Sequence, residues 1–244
     1  MREKLGAKPP AESIDWLNLL IYGEPGAGKT HFLGTAQDHK DTSPLLILDV
    51  DGGVSTLRKR PDIDVVQVRS FNELVEKYGE LFNAVQNGGL PYKTIGIDSL
   101  SELAKVDIGD ISKTFSQQND KLDPDIPDMR AYAKSGNHIR RVVRRFRDLP
   151  CNVIFTCHTQ TDRDNFNRLM YRPQLAGKLQ VDVPGFLDIV GWLRTEVTDE
   201  GVVRYLQTQK SETTIAKDRT NALDAVEKDP TVPMLWDKLT ASNK

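Results

Sequence analysis

The chain has 244 residues, 38% hydrophobic and 28% charged, with 33 Lys and Arg against 35 Asp and Glu for a formal net charge of −2. That length suits one α/β domain with elaborations and a large buried core. The near-neutral balance excludes nucleic-acid binding through the field of the whole molecule, so any such contact needs a local patch, and no apolar run approaches membrane-spanning length.

In chain order, residues 1–13 read as a polar, flexible leader without an apolar signal core. Residues 14–222 read as the core and 223–244 as a C-terminal tail packing on it. Trp16 to Tyr22 reads as a buried strand. It enters Gly23-Glu24-Pro25-Gly26-Ala27-Gly28-Lys29-Thr30, which fits G-x-x-x-x-G-K-[ST] without deviation. Thr30 to Gln37 reads as the helix that leaves the loop. Glycines in such a loop let successive N–H groups turn inward around a phosphate. Lys29 is expected to reach the β- and γ-phosphates and the Thr30 hydroxyl to ligate Mg²⁺, with Gly23 to Thr30 and His31 forming the ATP-binding set.

Further strands are expected in the apolar run Pro44–Asp51 (ended by Gly52-Gly53) and at 65–68, 94–99 and 152–156. A helix is expected over 71–87, its stripe formed by Leu74, Tyr78, Leu81, Phe82 and Val85 and its stop by Gly88-Gly89. Residues 107–128, polar and holding Pro124 and Pro127, read as a long mobile excursion. A second amphipathic helix is expected over 138–149, with Ile139, Val142, Val143, Phe146 and Leu149 inward. Residues 187–198 and 202–207 read as a hairpin around Asp199-Glu200-Gly201. Only 232–239 is apolar near the end. Strands alternating with helices imply a mostly parallel sheet, with ligands at the carboxyl ends of its strands and an antiparallel extension at one edge. Cys151 and Cys157 are spaced for one face of a strand and too far apart to pair, so both read as buried free thiols of a cytoplasmic protein.

Several residues carry candidate chemistry. Asp98 ends an apolar strand, where a carboxylate directed at Mg²⁺ through a water is expected; its alternative role is a helix cap. Asp51 is the candidate that orients the attacking water, with Asp49 as fallback and a plain turn Asp as the alternative. His158, or Gln160, ends the 152–156 strand where a polar group can sense the γ-phosphate; a satisfied core His is the alternative. Arg163, Arg168, Arg172 and Lys178, interleaved with Phe166 and Tyr171, suit a single-stranded nucleic acid, the cations meeting phosphates and the aromatics stacking on bases. A solvated loop is the bland alternative. Residues 130–149 are also basic, which a solvent-facing helix explains as well as DNA or subunit contact does. Lys217 and Arg219, two apart on an extended segment, point the same way and suit a finger reaching a neighbouring subunit's γ-phosphate, or else are surface charges.

Together these residues resemble the RecA-like P-loop ATPase superfamily over about residues 14–222. LLILDVDGG is similar to the strand that ends in a catalytic acid, usually Glu there and Asp51 here. TIGIDSL resembles the second Asp motif, and NVIFTCH the γ-phosphate-sensing strand, with His158 where Gln or Asn is usual. Residues 159–176 take the place of the second DNA-binding loop, and AKDR resembles the K-x-R finger of RadA- and DnaB-type relatives. Within the superfamily, GEPGAGKT, LDVDGG, GIDSL and RPQLAGKLQVDVPGFLDIVGWL resemble short phage-encoded nucleotide-binding proteins of AAA type, the Sak-type single-strand annealing ATPases. The resemblance implies a RecA-like fold, ATP and Mg²⁺, and DNA-stimulated hydrolysis. It also implies single-strand annealing or recombination, assembly into a homo-oligomeric ring or filament, a single-strand binding protein as a further partner, and a place in the host cytoplasm. A helicase motor or loader, a nucleotide-gated DNA-binding protein with little turnover, and a small-molecule phosphotransferase are the alternatives.

Overall fold

In the computed structural model, residues 16–199 and 201–241 are described. The expected leader at 1–13, Glu200 of the hairpin turn and the last residues of the tail lie outside the described residues. Five parallel connections build the centre of the sheet: β1 (Asn18–Gly23), β2 (Leu45–Asp49), β3 (Asp64–Gln67), β4 (Thr94–Asp98), β5 (Asn152–Arg163) and β7 (Ile189–Thr198), in the order β7-β1-β5-β4-β2-β3. The expected antiparallel edge is present: β8 (Gly201–Gln207) pairs with β7, and β10 (Val226–Lys228) with β8. Short β9 (Lys217–Asp218) pairs with the first residues of β7. This is the mostly parallel, helix-flanked core of a P-loop NTPase.

Alternation along the central strands divides the core in two. Leu20, Tyr22, Leu46, Leu48, Ile95, Ile97, Val153 and Phe155 face one way, toward α2 (Phe71–Gln86), α3 (Leu100–Gln118), α4 (Met129–Arg147) and α5 (Leu179–Phe186). Leu19, Ile21, Leu45, Ile47, Ile154 and Ile189 face the other way, toward α1 (Lys29–Gly34) and α6 (Val232–Ala241), whose Val232, Leu235 and Leu239 are buried there. Cys151 and Cys157 are free, buried on the side that faces α2 to α5, and burial pushes both thiols up to about 12.

Four expectations need correction. The mobile excursion at 107–128 is mostly helix, because α3 continues to Gln118 and only 119–128 is irregular. The signal was masked because polar residues take inward positions: Asp107 and Ser112 are buried, and Asp107 Oδ1 lies 2.9 Å from His138 Nδ1. The helix expected at 138 begins at Met129, capped by Asp128, whose Oδ1 accepts the Ala131 N–H at 2.9 Å. Its first turns bury small residues, Ala131, Ser135 and Gly136, which carry no apolar stripe in sequence. Phe82, expected inward, is exposed and stacks on the ring of Tyr78, which packs against the core.

The fourth correction concerns 159–178. The segment is not a loop: β5 runs on past the core to Arg163, and β6 (Leu169–Pro173) returns antiparallel to it, with register Thr159↔Pro173 to Arg163↔Leu169. Polar residues on both faces hid the strands. Asp164 closes the turn by accepting the N–H groups of Phe166 and Arg168, both at 2.9 Å.

Candidate nucleotide site

The site is assembled at the carboxyl ends of β1, β2, β4 and β5. Parallel register sets Gly23 level with His158 and Asp49 level with Asp98. Within the loop, Gly26 and Gly28 adopt φ of 82° and 94°, a region open to glycine at little cost. Gly28 is doubly required, because a Cβ there would fall 2.5 Å from Arg204 Nε. Lys29, buried, donates to the carbonyls of Gly23 at 2.9 Å and Glu24 at 3.1 Å, which holds its ammonium across the loop. Burial lowers its pKa, an effect the charges of Asp98 and Asp51 oppose.

Thr30 Oγ1 donates to Asp98 Oδ2 at 2.6 Å. The other Asp98 oxygen accepts the hydroxyl of Thr156, which is fully buried on β5. A hydroxyl and a carboxylate converging beside a phosphate loop are hard oxygen donors, the set Mg²⁺ takes together with phosphate oxygens and water. The residues present therefore fit that ion. Among the described residues no group of three or more His, Cys, Asp or Glu could hold a metal by itself.

Asp51 stands on the turn after β2. Its N–H, like that of Val50, is bonded to the Asp98 carbonyl, at 3.1 and 2.6 Å. A Cβ on nearby Gly53 would lie 3.9 Å from Thr30 Oγ1, so this turn borders the metal side of the loop. Asp51 Oδ2 lies 3.3 Å from His158 Nε2, and Oδ1 accepts the Ser99 hydroxyl at 3.1 Å. Burial alone would raise its pKa, but His158, Ser99 and the Lys29 charge outweigh it and hold the carboxyl below its usual range. His158 is fixed from behind, since its N–H donates to Ser101 Oγ at 2.9 Å, while its Nδ1 is buried without a partner.

The structure thus brings Lys29, Thr30, Asp98, Asp51 and His158 into one cluster. The fallbacks stand elsewhere. Asp49 shapes the turn, its Oδ1 accepting the N–H groups of Gly52 at 2.9 Å and Gly53 at 3.3 Å. Gln160 turns to Asp162 and Gln180. Thr156, Ser99 and Ser101 were missed. The available signal was a buried-strand Thr between Phe155 and Cys157 and two Ser within three residues after Asp98, small hydroxyls close to strand ends where side chains converge.

The remaining candidates lie outside that cluster. The β5–β6 extension over residues 159–173 forms an arm, and Phe166 is 79% exposed at its tip with the Arg168 guanidinium over its ring. Arg168 is itself paired with Asp164 and Glu212, and Arg163 donates to Asn167. Arg172 and Lys178 form no ion pair among the described residues. Tyr171 is turned inward, its ring 4.2 Å from that of Trp192. Its backbone pairs with Thr213 and Ile215, and the Tyr22 hydroxyl donates to the carbonyls of Ile215 at 2.7 Å and Tyr171 at 3.2 Å. The strand that feeds the phosphate loop is thereby tied to the root of the arm and to the segment leading to Lys217. Lys217 and Arg219 do point the same way: Lys217 Nζ donates to the Pro184 carbonyl, Arg219 to the Gly185 carbonyl at 2.7 Å, and Arg219 is paired with Asp188 at 3.3 Å. Burial and the Arg219 charge lower Lys217 to about 8, against the opposing charge of Asp188. No contact joins this pair to the loop cluster of the same chain among the described residues.

No curated protein matches the chain. A family model described as an AAA domain matches residues 16–220, from the first strand through the Lys217–Arg219 segment. That span covers most of the chain and every candidate residue, so the chain belongs to the AAA domain family and is a nucleotide-binding P-loop ATPase.

Proposed function

We propose that this protein hydrolyses ATP with Mg²⁺ and assembles on single-stranded DNA, in the manner of the Sak-type phage annealing ATPases. The observation that carries the reading is the continuity of β5. One strand bears Thr156 on the Asp98 carboxylate, His158 on Asp51, and then, without a break, the arm with Arg163 and exposed Phe166. A change at the terminal phosphate would reach the arm through a hydrogen-bonded strand and not through a slack loop.

In this reading Lys29 and the loop N–H groups bind the phosphates, Thr30 holds Mg²⁺ directly and Asp98 through a water. The metal neutralises phosphate charge when bound. Asp51, held ionised, orients the attacking water, and its hydrogen bond with His158 is what the terminal phosphate disturbs. Phe166 stacks on bases while Arg163, Arg172 and Lys178 meet the backbone phosphates. Lys217 and Arg219 complete the site of the next subunit in a ring or filament, so turnover depends on assembly. No described helix is long and apolar enough to cross a membrane, which suits a cytoplasmic role in phage recombination beside a single-strand binding protein.

One observation favours a second reading. The Asp51 carboxylate is engaged on both oxygens, by His158 and Ser99, which suits a nucleotide-gated DNA binder with little turnover. Steady-state ATP hydrolysis across protein concentration, with and without single-stranded DNA, decides between them. Cooperative stimulation by DNA that Arg219→Ala abolishes, with nucleotide binding retained, supports the first. Tight ATP binding without hydrolysis under any DNA condition selects the second. Directional unwinding of a forked duplex would replace both with a helicase.

A further inference from the structure

We propose that Arg204 binds the inner phosphates of the nucleotide from within the same chain, resting on the reading that loop 23–30 holds a nucleotide. Arg204 lies on β8, two strands from β1 on the side opposite β5 and β4. Thr30, Asp98, Asp51 and His158, the metal and terminal-phosphate groups, all lie toward β5 and β4. An arginine reaching the loop from β8 therefore meets the side of the nucleotide away from the metal, the α-phosphate and the β-phosphate oxygens that the metal does not take, groups common to ATP and ADP.

The contact is close. A Cβ on Gly28 would lie 2.5 Å from Arg204 Nε, 3.2 Å from its Cδ and 3.4 Å from its Cζ, so the guanidinium rests against the bare Cα of the loop's last glycine. Its Nε is buried and has no hydrogen-bond partner. Its guanidinium has no ion pair among the described residues. Asp229 bonds the backbone of Arg204 and not its guanidinium: Asp229 Oδ1 accepts the Arg204 N–H at 2.9 Å, and the Asp229 N–H donates to the Arg204 carbonyl at 2.7 Å. Neighbouring Arg194, by contrast, is paired with Glu196 and lies over the Tyr205 ring. A cation held half-buried without a counter-charge is costly unless an anion completes it. The anion that a glycine-rich loop beside it is shaped to receive is a phosphate. Pairing of Arg204 with Thr195 on β7 and the two Asp229 bonds fix its backbone, so the guanidinium is positioned before nucleotide arrives. This role differs from that of Lys217 and Arg219: it acts in cis, on ADP as much as on ATP, and needs no assembly.

The test is calorimetric titration of wild-type protein, Arg204→Ala and Arg204→Lys with ADP and with a non-hydrolysable ATP analogue, with Lys29→Ala as the loss-of-loop control. Loss of a charge-assisted hydrogen bond predicts that Arg204→Ala raises both dissociation constants by a similar factor, roughly 10- to 100-fold, with part recovered in Arg204→Lys. Unchanged affinity in a folded Arg204→Ala, beside wild-type binding that Lys29→Ala abolishes, overturns the inference alone. Weakening of the ATP analogue without ADP overturns the assignment to inner phosphates. Absence of nucleotide binding by the wild type overturns the nucleotide reading itself. Should Arg204→Ala fail to fold, Arg204→Gln, which keeps the stem and removes the charge, carries the same expectation.

Discussion

Thr156→Val changes one atom that the site depends on. Thr156 is fully buried and its hydroxyl donates to Asp98, itself 1% exposed. Valine has nearly the same shape, so no cavity forms, and the effect reports the lost hydrogen bond. A bond to a charged group contributes about 1.5–3 kcal/mol. For a domain of this size each kcal/mol shifts Tm by roughly 2–4 °C, so the expected loss is about 3–12 °C. Asp98 has a second hydroxyl donor, Thr30, at 2.6 Å. When that hydroxyl turns to Mg²⁺, Thr156 is the donor left to hold the carboxylate. The variant should therefore lose more stability with Mg²⁺ and nucleotide than without them, and need more Mg²⁺ for half-maximal nucleotide binding. Differential scanning fluorimetry in EDTA, in Mg²⁺ and in Mg²⁺ with nucleotide reads both effects. Tm and Mg²⁺ dependence both equal to wild type would show that Thr156 does not support Asp98.

Three more outcomes are expected. Asp49 is raised in pKa, chiefly by burial, so its contribution to stability is fully present below the unfolded carboxyl pKa and is lost as pH rises through the folded value. Asp49→Asn, which keeps an acceptor for Gly52 and Gly53, should raise Tm at pH 7 and leave it unchanged below about pH 4, and a pH series of melting curves would detect the reverse. Leu235→Ala, which empties a fully buried position of α6, should cost about 2–5 kcal/mol in chemical denaturation; a smaller loss would mean that α6 is not part of the cooperative core. Phe166→Ala at an exposed tip should leave stability within about 0.5 kcal/mol but weaken single-stranded DNA binding by about 1–3 kcal/mol in fluorescence anisotropy. Unaltered DNA affinity would remove the arm from the interface.

The loop at 23–30 was legible because its chemistry is local: glycine dihedrals, one lysine and one hydroxyl within eight residues. The strands were legible as continuous apolar runs, since both faces of the central sheet are covered by helices. The first half of α4 and most of α3 were not, because small or polar residues fill their buried positions and are satisfied by partners distant in sequence, as Asp107 is by His138. The arm was hidden for a similar reason: with no core beneath it, its two strands lack the apolar alternation that marks one.

Asp98, Asp51 and His158 could be nominated singly, each as the polar residue after an apolar strand. Their grouping follows from strand order, which inserts β5 between β1 and β4 and levels Gly23 with His158. Thr156 on Asp98, Ser99 on Asp51 and Arg204 on Gly28 belong to the tertiary structure alone. The sequence by itself determined the alternating elements, the phosphate loop and the strand-end acids, because those depend on neighbours along the chain. The tertiary structure decided which hydroxyl serves which carboxylate and which arginine faces the loop, because a sheet brings together residues tens to more than a hundred positions apart, and their pairing is set by register and strand order.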